Sequence, residues 1–435
     1  MSEQRKNLKK YIIPAMIGNI SFFILTIVDG MFVGNGVGTD ALGAVSLAMP
    51  FVNTVWALST LFNIGGVAVA SVRLGRDDTE GANQAFMHSL SANAVLFAAI
   101  TLIGTLFSRN VASLLGANET YIDMVSDYIF WYSVFLMSTM IGPCFNCFAR
   151  NDGNPGLSLA VSFTCAANIF GDWLMVYPLK MGVAGAAIAT GAANLLAMLV
   201  GLSHFIFKKG RLRICGFRPS FRLYRKIMLR GLPEMISQFA NPVTAFSMNN
   251  ILINHLGNTA VNAYSVITYA SSLFSSLMWG VSSGLQPLYG LSYGAKNDKD
   301  LKYYFRNGKL IALVGGTAVF LLTFAVGKPL CKMFGADGET LPIVCASLPK
   351  YCLNYVFAAL TAVIAAYLFS TKRTKYAIPI NVCRSIVLNF ACINFLPLIF
   401  GYGFVWYTVA VAEGLCLIIA FVLKRLSERC GIVYR

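Results

Sequence analysis

The sequence predicts an all-α integral membrane protein with twelve transmembrane helices in two pseudo-symmetric six-helix bundles. Three observations lead to this fold class. Hydrophobic residues make up 57% of the chain and charged residues only 12%, whereas soluble proteins carry about 25% charged residues. Apolar runs close to the roughly 20 residues that one membrane crossing requires recur along nearly the whole chain. The two halves of the sequence also repeat one another.

Twelve apolar segments define the predicted helices. Each is close to the length that a helix needs to cross the hydrocarbon core. In chain order they are 10–36, 43–73, 87–108, 122–148, 156–178, 182–208, 231–255, 262–292, 308–330, 341–369, 377–400 and 403–425.

The distribution of basic residues indicates the orientation of these helices. Most of the 34 lysine and arginine residues fall in the N-terminal segment, in every second loop and after the last helix. An excess of Lys and Arg of this kind marks the cytoplasmic side of a membrane protein. We therefore expect a multi-pass membrane protein, surrounded by lipid, with both termini in the cytoplasm.

The densest basic segment runs from Lys208 to Arg230 and contains no acidic residue. Two interpretations are open: an orientation signal that joins the two halves, which we favour, and an interfacial helix against anionic lipid headgroups. The net charge of +16 requires no nucleic-acid partner, because the basic cytoplasmic segments account for it. RNA binding by this segment is not expected, since the segment is too short to build the folded surface that RNA recognition needs.

A constant offset of 219 residues aligns the two halves of the chain. Pro14 aligns with Pro233 and Gly182 with Gly401, and further matches lie between them. Because six crossings return the chain to its starting side, both bundles have the same orientation, as in transporters built from parallel repeats. Alternating access is therefore the expected mechanism. The predicted domains are an N-terminal bundle, a basic linker and a C-terminal bundle, at 1–207, 208–230 and 231–435.

Two carboxylates lie inside predicted helices of the N-terminal half. Asn168 and Asp172 are four residues apart and share one face of the fifth helix, whereas Asp29 ends an apolar stretch of the first. Ionisable residues inside a membrane are costly and mark ion or substrate pathways. If the two helices are neighbours, one carboxylate takes a proton or a cation binds between them. The alternative for Asp172 is a helix-end carboxylate satisfied by neighbouring hydroxyl groups.

The C-terminal half carries different charged residues, because Asp29 aligns with Met248. Arg384 and Glu413 lie in the eleventh and twelfth predicted helices, and we interpret them as a structural ion pair, with a C-terminal functional site as the alternative. Glu234 is interpreted as a first-turn acid of the seventh helix, where the helix dipole favours a carboxylate.

A proline precedes Asp29 in the first helix. Pro14 opens a backbone hydrogen bond, and a kink there would let the helix bend when the charge on Asp29 changes. The sequence contains no phosphate-binding loop, and its three histidines have no second ligand at metal spacing. We therefore expect neither an ATP-driven pump nor an enzyme, and no cofactor or metal besides a coupling ion, H+ or Na+.

These residues resemble the multidrug and toxic compound extrusion (MATE) transporters of the MOP flippase superfamily. The resemblance covers the whole chain through the tandem halves, the stretch VDGMFVGNGVGTDALGAVSLAMPF in helices 1 and 2, NIFGD in helix 5, and the GLP that opens helix 7. It implies a V-shaped pair of bundles in a prokaryotic cytoplasmic membrane that exports organic cations or other amphipathic drugs in exchange for the ion.

The resemblance also implies roles for individual residues. In family members with an N-lobe cation site, ligands from helices 1, 5 and 6 surround a proton or a sodium ion, and the proline of helix 1, here Pro14, is a proposed hinge. Other branches carry a functional acid nine residues after the leucine of GLP, where this chain has Asn241, so coupling through that position is not expected. The implied cation ligands are Asp29, Asn168, Asp172 and Thr190.

Three hypotheses for the function remain at this point. The first is a secondary active multidrug exporter that works by antiport with H+ or Na+ on small drug-like molecules, as a monomer. The second is a flippase or exporter for a lipid-linked or endogenous metabolite. Lys350 and Arg384 are the only clear intramembrane bases, which argues against an anionic lipid-linked substrate. The third, a membrane scaffold or receptor, leaves the buried acids unexplained.

Overall fold

The computed structural model describes residues 3–37, 39–117, 119, 121–216, 218–333 and 340–429. Over these residues the chain forms helices joined by turns, without a β-strand. The all-α architecture expected for a polytopic membrane protein is thereby confirmed.

Eight α-helices precede the basic segment in the described part of the chain. The turn before α3 is closed by Asp78, whose carboxylate accepts a hydrogen bond from the backbone N–H of Gly81 at 2.8 Å. The helices are α1 (Glu3–Gly36), α2 (Thr39–Leu74), α3 (Thr79–Leu106), α4 (Ser108–Leu114), α5 (Ile122–Val134), α6 (Leu136–Asn151), α7 (Leu157–Val176) and α8 (Gly182–Ile206).

Nine further α-helices are described from Phe221 onwards, the first of which begins within that segment. A π-helical stretch, Cys383–Val387, separates α15 from α16, and a short 3-10 turn, Tyr402–Phe404, precedes α17. The helices are α9 (Phe221–Ser237), α10 (Ala240–His255), α11 (Asn258–Gly294), α12 (Asp298–Met333), α13 (Thr340–Cys352), α14 (Asn354–Ser370), α15 (Thr374–Val382), α16 (Leu388–Phe400) and α17 (Val405–Arg429).

The predicted crossings coincide with these helices. Among the described residues, eight helical stretches are long and apolar enough to span a membrane, and α5 with α6, bent by 48° where they meet, would form a ninth. Each of the twelve predicted segments overlaps one α-helix or two consecutive ones. Four crossings are broken into two α-helices within the described chain, namely α5/α6, α9/α10, α13/α14 and α15/α16.

The helix that contains the start of the seventh predicted crossing begins before that crossing. Apolar character begins at Gly231, but α9 begins at Phe221, because the preceding basic residues form amphipathic helical turns with buried Leu223 and Ile227. Glu234 therefore lies near the end of α9 and not in its first turn, so the helix-dipole interpretation of this residue is wrong.

The chain forms two compact units. One comprises Ile17–Gly231, and the other comprises Met1–Met16 together with Leu232–Arg435. The first turns of α1 are thus grouped with the C-terminal half, and the first turns of α9 with the N-terminal half. The following paragraphs treat each unit by itself.

The unit Ile17–Gly231 is held together by small and aromatic residues. Phe86 of α3 is fully buried and stacks on Phe205 of α8 with ring centroids 4.6 Å apart. The ring centroid of Phe148 of α6 lies 4.9 Å from that of Phe86. Offset and tilted aromatic pairs of this kind contribute beyond their buried area. This cluster joins α3, α6 and α8.

Residues 208–212 are held against α6 and α8 of this same unit. The side chain of Asp152, directly after α6, is fully buried, and its carboxylate accepts hydrogen bonds from the backbone N–H groups of Arg211 at 2.8 Å and Leu212 at 2.9 Å. The ring of buried His204 lies 3.0 Å from the same carboxylate. Because a buried carboxylate requires such partners, Asp152 fixes the beginning of the basic segment against α6 and α8.

Glycines allow a close helix crossing in each unit. In the first unit, a Cβ on Gly231 of α9 would lie 2.7 Å from the carbonyl carbon of Leu61 of α2. In the second, a Cβ on Gly284 of α11 would lie 2.8 Å from Cα of Ile12 of α1. Close backbone approach through small residues is a common way to pack helices in membranes.

We expect Gly231→Ala to destabilise the protein by about 1–3 kcal/mol, because the added methyl group must displace the backbone of α2. The measurement is the thermal midpoint of the detergent-purified protein. Gly216→Ala is the matched control, since a Cβ at Gly216 meets nothing within 4 Å. Equal midpoints for the two variants would contradict the crossing described above.

Candidate functional site

The polar residues of the fifth and sixth predicted crossings meet inside the unit Ile17–Gly231. Asn168 and Asp172 lie on α7 with no exposed surface. With its amide nitrogen facing Asp172, Asn168 donates to Oδ2 of Asp172 at 3.0 Å. The amide oxygen then accepts a hydrogen bond from Oγ1 of Thr190, on α8, at 3.2 Å. Asn168 therefore links the carboxylate of one helix to the hydroxyl group of the next.

Small residues bring α7 and α8 close enough for this link. A Cβ on Gly171 of α7 would lie 3.1 Å from Cβ of Ala189 of α8, next to Thr190. On α8, Gly182 adopts φ +61° at the first position of the helix, a conformation that glycine reaches without strain. The sequence GVAGAAIAT thus provides both the turn and the narrow helix face.

The second half of α1 brings Asp29 to the same region. Near the end of α1, the Phe32 ring contacts the ring of Tyr177, which follows α7, at a centroid distance of 5.9 Å. Asp29 lies one turn before Phe32, and its carboxylate interacts electrostatically with that of Asp172. The first and fifth predicted crossings are therefore neighbours in this unit, which is the condition for Asp29 and Asp172 to form one site.

Each carboxylate has an oxygen atom left without a partner. Oδ1 of Asp29 and Oδ1 of Asp172 are buried and accept no hydrogen bond from any described residue. Burial of an unsatisfied polar group is unfavourable, and two nearby carboxylates do not both remain ionised without a compensating cation. The cluster is therefore suited to hold a proton or a hard cation, which prefers oxygen ligands.

Sequence reasoning missed one residue of this region. Tyr128 of α5 is buried, stacks on Tyr132 with ring centroids 6.1 Å apart, and interacts electrostatically with both Asp29 and Asp172. The signal that points to it is a pair of tyrosines four residues apart in an apolar helix, which places two hydroxyl groups on one face.

The equivalent positions of the C-terminal half are entirely apolar. The 219-residue offset converts the four predicted ligands into one methionine, two valines and one alanine. Thr408 of α17 contacts the methionine, with its Oγ1 4.0 Å from Sδ. The polar cluster is therefore a feature of one half only. The replacing residues are Met248, Val387, Ala391 and Val409.

Arg384 and Glu413 form an ion pair in the other unit. Nε of Arg384 lies 2.7 Å from Oε1 of Glu413, and the two side chains are 22% and 8% exposed. Arg384 lies in the π-helical stretch, where Asn389 donates to its carbonyl oxygen at 2.9 Å. Glu234 of α9 also interacts electrostatically with the guanidinium group. The predicted pairing of Arg384 with Glu413 is present, and its role stays a prediction.

Pro14 lies within a helix that continues through it. α1 runs without interruption from Glu3 to Gly36, and Pro14 is buried. The hinge at this residue stays a prediction. The side chain of Asn241, which was compared with the functional acid of other branches, lies outside the described residues.

Comparison with known proteins identifies the family to which this chain belongs. The family model described as MatE matches residues 14–174 and 233–394, one stretch in each half. The chain therefore belongs to the MatE family, whose members are transporters.

Individual relatives extend this result. A FAD transporter of Shewanella oneidensis is 27% identical over 394 residues, covering 86% of this chain and 84% of that protein. The multidrug export protein MepA of Staphylococcus haemolyticus is 23% identical over 435 residues, covering 98% and 94%. Among solved structures, a MOP superfamily transporter from Pyrococcus furiosus superposes with a TM-score of 0.90 at 20% identity, covering 98% of this chain and 96% of that one.

Proposed function

We propose that this protein is a secondary active exporter of organic cations and amphipathic drugs, which exchanges them for H+ or Na+ by alternating access. The membership in a transporter family supports the transport class. The likeness to a multidrug export protein along almost its whole length supports drug-like molecules as substrates. We further propose a monomer in the cytoplasmic membrane with both termini inside, as the basic loops favour.

The observation that carries the coupling step is the pair of unpartnered carboxylate oxygens on Asp29 and Asp172. An ion or proton that binds there compensates their charge, and a cationic substrate that arrives competes for the same negative charge. Asn168 and Thr190 supply further oxygen atoms for a sodium ion, with Asn168 holding the Asp172 side chain in place. The role of Pro14 in this proposal is to let α1 bend when Asp29 changes charge.

A second candidate is an exporter of an endogenous anionic metabolite. The observation that favours it is the 27% identity to a FAD transporter. FAD carries phosphate groups, which arginine binds strongly, and Arg384 is partly exposed in the C-terminal half. This candidate uses the same fold and differs in the charge of the substrate.

Everted membrane vesicles that contain the protein distinguish these candidates. Ethidium uptake is measured under a sodium gradient at clamped pH, and under a pH gradient without sodium, with FAD tested in parallel. We expect one of the two gradients to drive ethidium uptake above the level of vesicles that lack the protein. Uptake of FAD without ethidium would instead support the second candidate. No response of either substrate to either gradient would contradict the proposal.

A further inference from the structure

Four basic side chains converge at one place on the unit Ile17–Gly231. Lys226 lies in the first turns of α9, ahead of the predicted seventh crossing. Burial lowers the pKa of its ammonium group, and the positive charges of Arg230, Arg73 and Arg76 lower it further. These residues come from the last turn of α2, from the turn that follows it and from α9. α2 and α9 are in contact, since a Cβ on Gly231 would lie 2.7 Å from the carbonyl carbon of Leu61, so the fold, and not the local sequence, assembles the group. We call these four residues the basic cluster.

The acids nearby neutralise this cluster only in part. Arg73 donates to the carbonyl oxygen of Gly81 and lies 3.9 Å from the carboxylate of Asp78, which is half exposed. Nη1 of Arg230 donates to the backbone carbonyl of Ala68 at 2.6 Å. Within the described residues, neither Arg76 nor Lys226 forms an ion pair with an acid. Like charges that lie close together repel one another, so the cluster is suited to an anion.

The outer face of α9 has the composition of a helix at a membrane surface. Phe221 is 84% exposed, and Arg222 and Arg225 are exposed beside it, while Leu223 and Ile227 are buried against the protein. Exposed aromatic residues interleaved with Arg and Lys are typical of helices at the boundary between headgroups and acyl chains. The cluster therefore adjoins a surface that fits the depth of lipid phosphates.

The repeat supplies an internal comparison. The 219-residue offset places uncharged residues at all four equivalent positions of the other unit. There, Gln4 of α1 donates to Asp300 of α12 at 2.5 Å, whereas the position equivalent to Asp300 is Gly81. The other unit thus joins the equivalent region by an internal hydrogen bond, whereas the unit Ile17–Gly231 brings together four bases that nearby acids neutralise only in part. The equivalents of Arg73, Arg76, Lys226 and Arg230 are Ser292, Ala295, Asn7 and Tyr11.

We propose that the basic cluster binds the phosphate of an anionic phospholipid of the cytoplasmic leaflet, through Arg73, Arg76 and Lys226. The orientation of the chain in the membrane requires basic residues on the cytoplasmic side. It does not explain why four of them lie close together in the fold. A bound phosphate would neutralise the repulsion and join the end of α2 to the start of α9. The lipid would thereby stabilise the crossing of these two helices near Gly231.

The test measures the thermal midpoint of the detergent-purified protein during titration with phosphatidylglycerol or phosphatidylcholine. We expect phosphatidylglycerol alone to raise the midpoint of the wild type in a saturable way, and added salt to weaken the effect. In Arg76→Gln and Lys226→Gln, the apparent affinity falls about fivefold for each removed charge, and about 25-fold in the double variant.

The matched control is the double variant Lys299→Gln/Lys302→Gln, which removes two exposed bases from α12 of the other unit. It should respond to phosphatidylglycerol as the wild type does. An equal loss in the control, or an unchanged response in Arg76→Gln/Lys226→Gln, would overturn the proposal. Full stabilisation by inorganic phosphate alone would also overturn it, because the site would then require no lipid. Arg76→Gln alone, a change at an exposed side chain, keeps the test valid if the double variant does not fold.

Discussion

Replacing Asp29 or Asp172 by asparagine is expected to reduce ion-driven substrate accumulation by about tenfold or more, because an ionisable residue inside a membrane is functional by default. Asparagine keeps the size of the side chain and much of its hydrogen bonding but removes the charge that a proton or sodium ion would compensate. Each variant should therefore fold and lose its coupling. The measurement is the initial rate of dye uptake into everted vesicles under the gradient that drives the wild type.

The control for this pair is Asp123→Asn in the same unit. Asp123 is exposed and pairs with exposed Arg109 at 2.9 Å, so its neutralisation should leave the uptake rate unchanged. Retention of the full gradient-driven rate by both Asp29→Asn and Asp172→Asn would rule out the proposed cation site. Loss in only one of them would restrict the ion to that carboxylate.

The second large effect is expected at the ion pair of the C-terminal half. Arg384→Met leaves Glu413 buried without its cation, and we expect a loss of about 3–5 kcal/mol in the free energy of unfolding, because breaking one side of a buried pair leaves an uncompensated charge. The double variant Arg384→Met/Glu413→Leu removes both charges and should recover most of this loss. Thermal unfolding of the purified variants measures both quantities.

This double-mutant comparison also separates a structural role from a functional one. If the pair only fixes the packing of α17 against the π-helical stretch, the double variant should transport like the wild type. If it is stable but inactive, the pair takes part in transport. The control Arg109→Met breaks an exposed pair, which should cost about 0–1 kcal/mol. An Arg384→Met variant as stable as Arg109→Met would contradict the burial argument.

The membrane fold was predictable because its signals act over long stretches. Hydrophobic length, the position of basic residues and the 219-residue repeat each sum over many residues, so single exceptions do not alter the result. The breaks within crossings were not predictable in the same way. α13 and α14 separate at Leu353, and α15 passes into a π-helical stretch at Cys383, each four residues after a proline, Pro349 and Pro379. A proline alone does not predict such a break, because α1 continues through Pro14.

The candidate site was predictable in its membership but not in its geometry. The four-residue spacing of Asn168 and Asp172 fixed their common face, and the cost of burying Asp29 singled it out. The position of Thr190 came from the family resemblance, and only the packing of Gly171 on Ala189 shows why it reaches Asn168. Tyr128 was missed because a tyrosine in an apolar helix is usually ordinary packing.

The first turns of α1 and of α9 each belong to the compact unit formed by the other half of the chain. This arrangement has a consequence for the origin of the fold. Residues up to Met16 belong with the C-terminal half and residues up to Gly231 with the N-terminal half, and these are the leading segments of the two repeats. Before duplication, two identical half-length chains would have traded these segments, as in a domain-swapped dimer. Within one chain this exchange is intramolecular, so it does not depend on the concentration of a second chain.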